Sequence, residues 1–211
     1  MLCIRLCLCV ILSFSIQAHA TSNIVVVGDS LSAGFGLQKN EVWVDLLAEQ
    51  IAEENLPYNI INASISGETT IGGQQRLPSL LNNHTPSIVI LELGGNDGLR
   101  GLNLSVIKQN LEAMITLCQS RDIAVLLVGI RLPPNYGPVY TKRFEQIFFD
   151  LAKSKNVPLV PSLLTGLENG LNLFQADGIH PTAQAQPILL ENVWQVLSPM
   201  LSTQEVTLSR K

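Results

Sequence analysis

A serine and a histidine stand in sequence contexts that suit acyl transfer. Ser30 lies two residues after a continuous apolar run, and His180 lies in the segment Asp-Gly-Ile-His-Pro that begins at Asp177. A serine hydroxyl is a weak nucleophile until a base removes its proton, and histidine is the usual base near neutral pH. Asp177 can turn back to the imidazole and fix its tautomer. These residue types predict a Ser–His–Asp triad that forms an acyl-enzyme.

Histidine is scarce in this chain, which narrows the choice of base. After residue 20 there are two histidines, His84 and His180. His84 lies in a polar stretch just before a predicted strand, so we place it at the edge of the sheet opposite Ser30, as a solvated loop residue. His180 is therefore the histidine that we expect to reach Ser30.

An acyl-transfer site also needs donors for the oxyanion. Gly67 lacks a side chain and can bring its backbone N–H close to a ligand. The side-chain amide of Asn96 is a second donor, and the backbone N–H of Ser30 is a third. Gly-Asp-Ser, Gly-Gly-Asn-Asp and Asp-Gly-Ile-His-Pro each occur as ordinary turns, so no motif is specific alone. Their joint occurrence in this order favours a catalytic site.

The elements that must position these residues alternate between strands and helices. Continuous apolar runs predict strands that are buried on both faces of a parallel sheet. These runs are 24–28, 58–62, 87–93, 123–130 and 157–160. Helical patterns lie between or after them, at 43–51 with an N-cap at Asn40, 104–119, 140–153 and around 190–197. The alternation predicts an α/β fold whose site lies at the carboxyl ends of the strands, where the candidate residues stand.

The first twenty residues read as a secretory signal peptide. Arg5 is their only charge, an apolar run spans 6–16, and the run ends in Ala-His-Ala before residue 21. We predict cleavage after Ala20, with an uncleaved N-terminal anchor as the alternative. Residues 21–211 then form one domain, in which 202–211 is a frayed tail.

The charge of the chain argues against a nucleic-acid partner, and its cysteines argue against thiol chemistry. The net charge is −4, 14% of residues are charged, and no Lys/Arg run suggests a nucleic-acid partner. Three of the four cysteines precede residue 20, and Cys118 falls on a helical apolar stripe, where we expect an inert, buried thiol. We expect a monomer that acts on a small-molecule substrate and has no stable membrane insertion once the signal peptide is removed.

The order Ser30, Gly67, Asn96, His180 resembles the four blocks of the SGNH (GDSL-type) hydrolase superfamily. Several stretches resemble its bacterial multifunctional thioesterase/lysophospholipase/arylesterase group, over essentially the whole chain after residue 20. They are 28–34, 62–67, 92–101, 130–137 and 177–181. The nucleophile lacks a G-x-S-x-G elbow, which distinguishes the chain from the α/β-hydrolase fold.

This resemblance implies a three-layer α/β/α, flavodoxin-like fold with a five-stranded parallel sheet in the order 2-1-3-4-5. It implies that Ser30 is the nucleophile, that His180 is the base and that Asp177 orients it. It also implies an oxyanion hole built with Gly67 and Asn96, no metal and no organic cofactor. The members of the group are periplasmic, which agrees with the predicted signal peptide; secretion is the alternative.

The acyl group is less closely specified than the triad. The loop 131–137 resembles the acyl-pocket loop of the group, so we expect Leu132 and Pro133 to bind substrate; the alternative is a rigid surface turn. Four glycines in 94–101 predict a mobile loop that closes over substrate. We expect hydrolysis of lysophospholipids, aryl esters and acyl thioesters. The alternatives are an SGNH carbohydrate deacetylase and a non-catalytic doubly wound module that binds an anion at its first glycine turn.

Overall fold

Five parallel strands form one sheet in the order β2-β1-β3-β4-β5, which confirms the predicted fold. The computed structural model describes residues 21–168 and 170–208, so the predicted signal peptide lies outside the described residues. The strands are β1 (Ser22–Gly28), β2 (Tyr58–Asn62), β3 (Ile88–Glu92), β4 (Ala124–Val128) and β5 (Leu159–Val160).

The central strands are buried on both faces, as their continuous apolar runs predict. Ile24 to Val27 in β1 and Ile88 to Leu91 in β3 are at most 1% exposed. These two strands pair in a register that sets Gly28 opposite Glu92, so the end of β1 meets the end of β3. That register brings the turn after each strand to the same edge of the sheet.

Helices cover both faces. They are α1 (Ser30–Ala33), α2 (Trp43–Glu53), α3 (Thr70–His84), α4 (Gly95–Leu99), α5 (Leu104–Gln119), α6 (Pro138–Lys155) and α7 (Gln186–Leu208). On one face α5 packs between α3 and α6, and on the other α2 packs against α7. Cys118 on α5 is 1% exposed, and burial raises the pKa of its thiol to about 12, as expected for an inert core residue.

Helix α3 has no counterpart in the sequence prediction. Gly72, Gly73 and Pro78 interrupt its pattern, and its buried large apolar residues are only Leu77 and Leu81. Its first turn is capped by the hydroxyl of Thr69, which accepts a hydrogen bond from the N–H of Gly72.

The predicted N-cap at Asn40 is wrong. Helix α2 begins at Trp43, and Asn40 lies in a turn before it with φ 72°, a left-handed conformation that asparagine tolerates. Its backbone N–H donates to the Asp45 carboxylate at 3.0 Å, so Asn40 is held by the helix but does not cap it.

The structure also differs from the sequence prediction in the glycine-rich segment that follows β3. The glycine-rich stretch predicted as an open loop contains helix α4, whose Gly95 and Gly98 are buried. A Cβ at Gly98 would lie 2.8 Å from Leu132 and 2.9 Å from Phe144, so glycine permits this close packing. Helix α7 extends from Gln186 to Leu208. None of the described helices combines the length and apolar character needed to cross a bilayer.

Candidate active site

Ser30 is the first residue of α1, in the tight turn that follows β1. Asp29 caps this helix, because its Oδ1 accepts a hydrogen bond of 3.0 Å from the N–H of Leu31. A Cβ at Gly28 would lie 2.7 Å from Glu92 Oε2 and 2.8 Å from Ser32, so the turn lies directly against the end of β3. The first turn of α1 therefore presents Ser30 at the carboxyl edge of the sheet.

His180 joins Ser30 to Asp177. Its Nε2 lies 2.8 Å from Ser30 Oγ, and its Nδ1 lies 2.7 Å from Asp177 Oδ2. An Nδ1–H donated to the carboxylate leaves Nε2 free to accept the serine proton; we assign this tautomer from the pairing. The structure therefore brings together the three residues that the sequence predicts as a triad.

Three donors keep the Asp177 carboxylate ionised. Its Oδ1 accepts the backbone N–H groups of Ile179 at 2.8 Å and His180 at 3.0 Å, while Oδ2 faces the imidazole. The backbone N–H of His180 is the largest single cause that lowers the Asp177 pKa, which falls to about 2. The same short turn thus fixes the loop and orients the His180 imidazole.

The predicted oxyanion donors flank Ser30 in the strand order. Gly67 follows β2 and Asn96 lies in α4 after β3, and these strands are the two neighbours of β1. Gly67 has φ +80°, and a Cβ placed there would meet open space. Among the described residues, the backbone N–H groups of Ser30 and Gly67 have no protein acceptor. Both remain available to a ligand oxygen.

A buried polar network ties the Gly67 segment to the Asn96 segment. Asp97, which follows Asn96 and is 1% exposed, accepts hydrogen bonds from the N–H and the hydroxyl of Thr70, at 2.9 Å and 2.6 Å. Asn110 on α5 donates to the same hydroxyl at 3.0 Å. The sequence pattern gives no sign of this network, because its members lie on three separate elements.

Two buried carboxyl groups lie behind Ser30. Asp29 is 2% exposed and Glu92 is fully buried. Glu92 Oε2 accepts a 2.6 Å hydrogen bond from Ser32 Oγ, while its Oε1 has no partner among the described residues. Burial raises the Asp29 pKa to about 6, and burial together with the Asp29 charge holds the Glu92 pKa well above its usual range. Glu92 was not predicted from the sequence, although a carboxyl group at the end of an apolar strand is a signal for a special environment.

A cavity of about 880 Å³ opens beside Ser30 and His180. It is lined by residues that follow β1, β3, β4 and β5, so it extends along the carboxyl edge of the sheet. Much of its lining is apolar: Leu99, Ile130, Leu132, Pro133, Leu164 and Leu167. The structure thus places Leu132 and Pro133 at the cavity, as the loop resemblance predicts.

His84 and any metal ligands were the other side chains to consider, and neither belongs to the group formed by Ser30, His180 and Asp177. His84 ends α3, and its carbonyl accepts a hydrogen bond from Asn23 at the start of β1, so it stands at the opposite edge of the sheet, as predicted. Within the described residues, no group of three or more His, Cys, Asp or Glu side chains is placed to hold a metal ion.

Residues 26–187 match the model of the GDSL-like lipase/acylhydrolase family. Esterase TesA of Pseudomonas aeruginosa is 46% identical over 193 residues, 92% of this chain and 96% of that protein. Thioesterase 1/protease 1/lysophospholipase L1 of Escherichia coli K12 is 38% identical over 193 residues, 92% and 90% of the two chains. A crystal structure of the psychrotrophic esterase EstA from Pseudoalteromonas sp., inhibited by monoethylphosphonate, superposes with a TM-score of 0.81 at 37% identity, over 86% of this chain and 99% of that one.

Proposed function

The chain belongs to the GDSL-like lipase/acylhydrolase family and is a carboxylic ester hydrolase, and we propose that its catalytic triad is Ser30, His180 and Asp177. The observation that carries this assignment is the unbroken series of hydrogen bonds from Asp177 through His180 to Ser30 at the mouth of an apolar cavity. The similarity to named esterases excludes the alternative that the chain is a non-catalytic binding module.

The first half of the reaction acylates the serine. His180 Nε2 takes the proton from Ser30 Oγ, and Oγ forms a bond to the carbonyl carbon of the ester or thioester. The negative charge on the carbonyl oxygen is stabilised by the N–H groups of Ser30 and Gly67 and by the amide of Asn96. His180 then gives its proton to the leaving group as the bond to that group breaks.

The second half releases the acid. A water molecule takes the place of the released alcohol or thiol. His180 takes a proton from this water while the water oxygen attacks the acyl carbon. The bond from the acyl carbon to Ser30 Oγ breaks, and the proton returns from His180 to the serine. Asp177 stays ionised throughout and balances the charge of the imidazolium.

The cavity supports a substrate with one acyl chain. Its volume lies within the range of small-molecule pockets, roughly 300–1,000 Å³, and its apolar lining suits methylene groups. We assign Leu132 and Pro133 to the wall that contacts the chain. The substrates are then lysophospholipids, aryl esters and acyl thioesters, with lysophospholipids as the natural class for an exported enzyme.

Export to the periplasm as a monomer completes the proposal. It rests on the signal-peptide pattern of residues 1–20, with secretion as the alternative. N-terminal sequencing of the protein recovered from the periplasm should begin at Thr21. Recovery from the membrane fraction with residues 1–20 intact would contradict cleavage.

Comparing kcat/KM for lysophosphatidylcholine, palmitoyl-CoA and an acetylated sugar tests the substrate class. We expect the two long-chain substrates to be hydrolysed and the sugar to be poor. A strong preference for the acetylated sugar would overturn the proposal in favour of a carbohydrate deacetylase. The Ser30→Ala variant, assayed in parallel, shows how much of each rate belongs to this site.

A further inference from the structure

Hydrogen bonds and ring packing join the two segments that carry the proposed nucleophile and the proposed base. Among the described residues, two hydrogen bonds connect segment 29–36 with loop 174–181. One is the Ser30–His180 bond itself, and the other runs from Gln175 Nε2 to the carbonyl of Phe35 at 2.8 Å. We infer that Gln175 is a positioning residue that holds the serine and the histidine in register, an inference that rests on the proposed function.

Gln175 is also hydrogen-bonded to His180 itself and to Pro181, the residue that follows it. Its backbone N–H donates to the His180 carbonyl at 2.7 Å, and its Nε2 donates to the Pro181 carbonyl at 3.1 Å. A primary amide carries two N–H donors, so Nε2 can serve the Pro181 and Phe35 carbonyls together. The amide group therefore links the base-bearing loop to the nucleophile-bearing segment.

Phe35, which accepts the hydrogen bond from Gln175, also contacts both Ser30 and His180. Its backbone N–H donates to the Ser30 carbonyl at 3.1 Å, and its half-exposed ring lies against the His180 ring with a centroid distance of 4.5 Å. Gly36 follows with φ +76°, and a Cβ there would collide with Gln175 Oε1. Glycine at position 36 lets the side-chain amide of Gln175 lie directly against the backbone.

Loss of the hydrogen bond between Gln175 and Phe35 should displace Ser30 Oγ and His180 Nε2 from each other, although both groups stay in the site. A displacement of about 1 Å between reacting groups lowers a rate by about 100-fold. Gln175 also borders the cavity, so an effect on acyl binding must be separated from an effect on alignment. Misalignment lowers kcat equally for every acyl chain, whereas a lost wall contact affects long chains alone.

The test uses Gln175→Ala and the isosteric Gln175→Glu, whose carboxylate cannot donate to either carbonyl. We expect kcat to fall about 10- to 100-fold for both p-nitrophenyl acetate and p-nitrophenyl decanoate, with KM within about twofold of wild type. The unfolding midpoint should fall by no more than about 2–4 °C. Gln119→Ala is the matched control, because Gln119 Nε2 donates to the Lys155 carbonyl at 2.8 Å at the opposite edge of the sheet. Its kcat should be unchanged.

Two results would overturn the inference. One is wild-type kcat in both folded Gln175 variants, and the other is a loss confined to the decanoate. The wild-type protein, treated with a fluorophosphonate probe in the same experiment, reports on the proposed function separately. If wild-type Ser30 is labelled and the variants turn over normally, only the role of Gln175 is wrong; if Ser30 is not labelled, the triad assignment itself fails.

Discussion

The side-chain amide of Asn96 donates a hydrogen bond of 3.0 Å to the buried carboxylate of Asp29. Because an amide nitrogen carries two hydrogens, the second can still face a ligand oxygen. The other Asp29 oxygen accepts the N–H of Leu31 and so caps α1. One carboxylate therefore orients both the turn that bears Ser30 and the side chain that we propose as an oxyanion donor.

Replacing this carboxylate by an amide should impair turnover more than binding. In Asp29→Asn, the new NH₂ group must face either the Asn96 amide or the N–H of Leu31, a donor against a donor. We expect kcat on p-nitrophenyl esters to fall about 10- to 100-fold, with little change in KM. Asp45→Asn is the control, since Asp45 also accepts a backbone N–H, that of Asn40, but does not line the cavity beside Ser30. An unchanged kcat in folded Asp29→Asn would contradict this role.

If Asp29 acts through Asn96, the two substitutions should not be additive. We expect Asn96→Ala to lower kcat by about 100- to 1000-fold, the usual cost of one oxyanion donor. The double variant should then be no more than a few-fold worse than Asn96→Ala alone, because the amide that Asp29 orients is already gone. A double-mutant cycle measured by initial rates decides this. Losses that multiply fully would show that Asp29 acts independently.

Much of the fold could be predicted because it depends on local patterns. The strands are continuous apolar runs, and the scarcity of histidine after residue 20 leaves His180 as the candidate base. Helix α3 was missed because two glycines and a proline break its apolar stripe. Helix α4 was missed because four glycines suggest a mobile loop, whereas here Gly98 permits close packing against Leu132 and Phe144.

The residues that support the site could not be predicted, for a different physical reason. Glu92 and Gln175 act through atoms that are distant in sequence: Ser32 Oγ in one case and the Phe35 carbonyl in the other. Backbone carbonyls exist at every residue, so a glutamine side chain that binds one leaves no pattern in the sequence. Such partners become visible only when the segments are assembled.

Acid should lower activity through Asp29, while the Asp177 carboxylate stays ionised. The folded pKa of Asp177, about 2, lies below its ordinary value of 3.8. Its stabilising contribution is therefore present above pH 3.8 and is lost as the pH falls through about 2. Between pH 8 and 5 the loop keeps this support, while the Asp29 carboxyl, whose pKa burial raises to about 6, gains a proton and no longer accepts from Asn96 and Leu31 as a carboxylate. We expect kcat/KM to fall towards pH 5 with unchanged circular dichroism; a flat profile would contradict the role of Asp29.

Acyl-chain length should raise the specificity constant until the cavity is filled. Each buried methylene contributes about 0.8 kcal/mol, which corresponds to about fourfold in kcat/KM. We therefore expect kcat/KM to rise along the p-nitrophenyl esters from acetyl to octanoyl. Leu132→Ala, which removes part of the apolar wall, should reduce the rate for octanoyl more than for acetyl. A wild-type preference for acetyl would contradict an acyl-chain cavity.

The central claim is that Ser30 is a nucleophile activated by His180, and covalent labelling tests it most directly. A fluorophosphonate probe reacts with an activated serine, and peptide mass spectrometry locates the adduct. We predict one adduct on Ser30 in the wild-type protein and none in folded Ser30→Ala or His180→Ala. A folded wild-type protein that remains unlabelled, or a label on Ser30 that persists in His180→Ala, would contradict the claim.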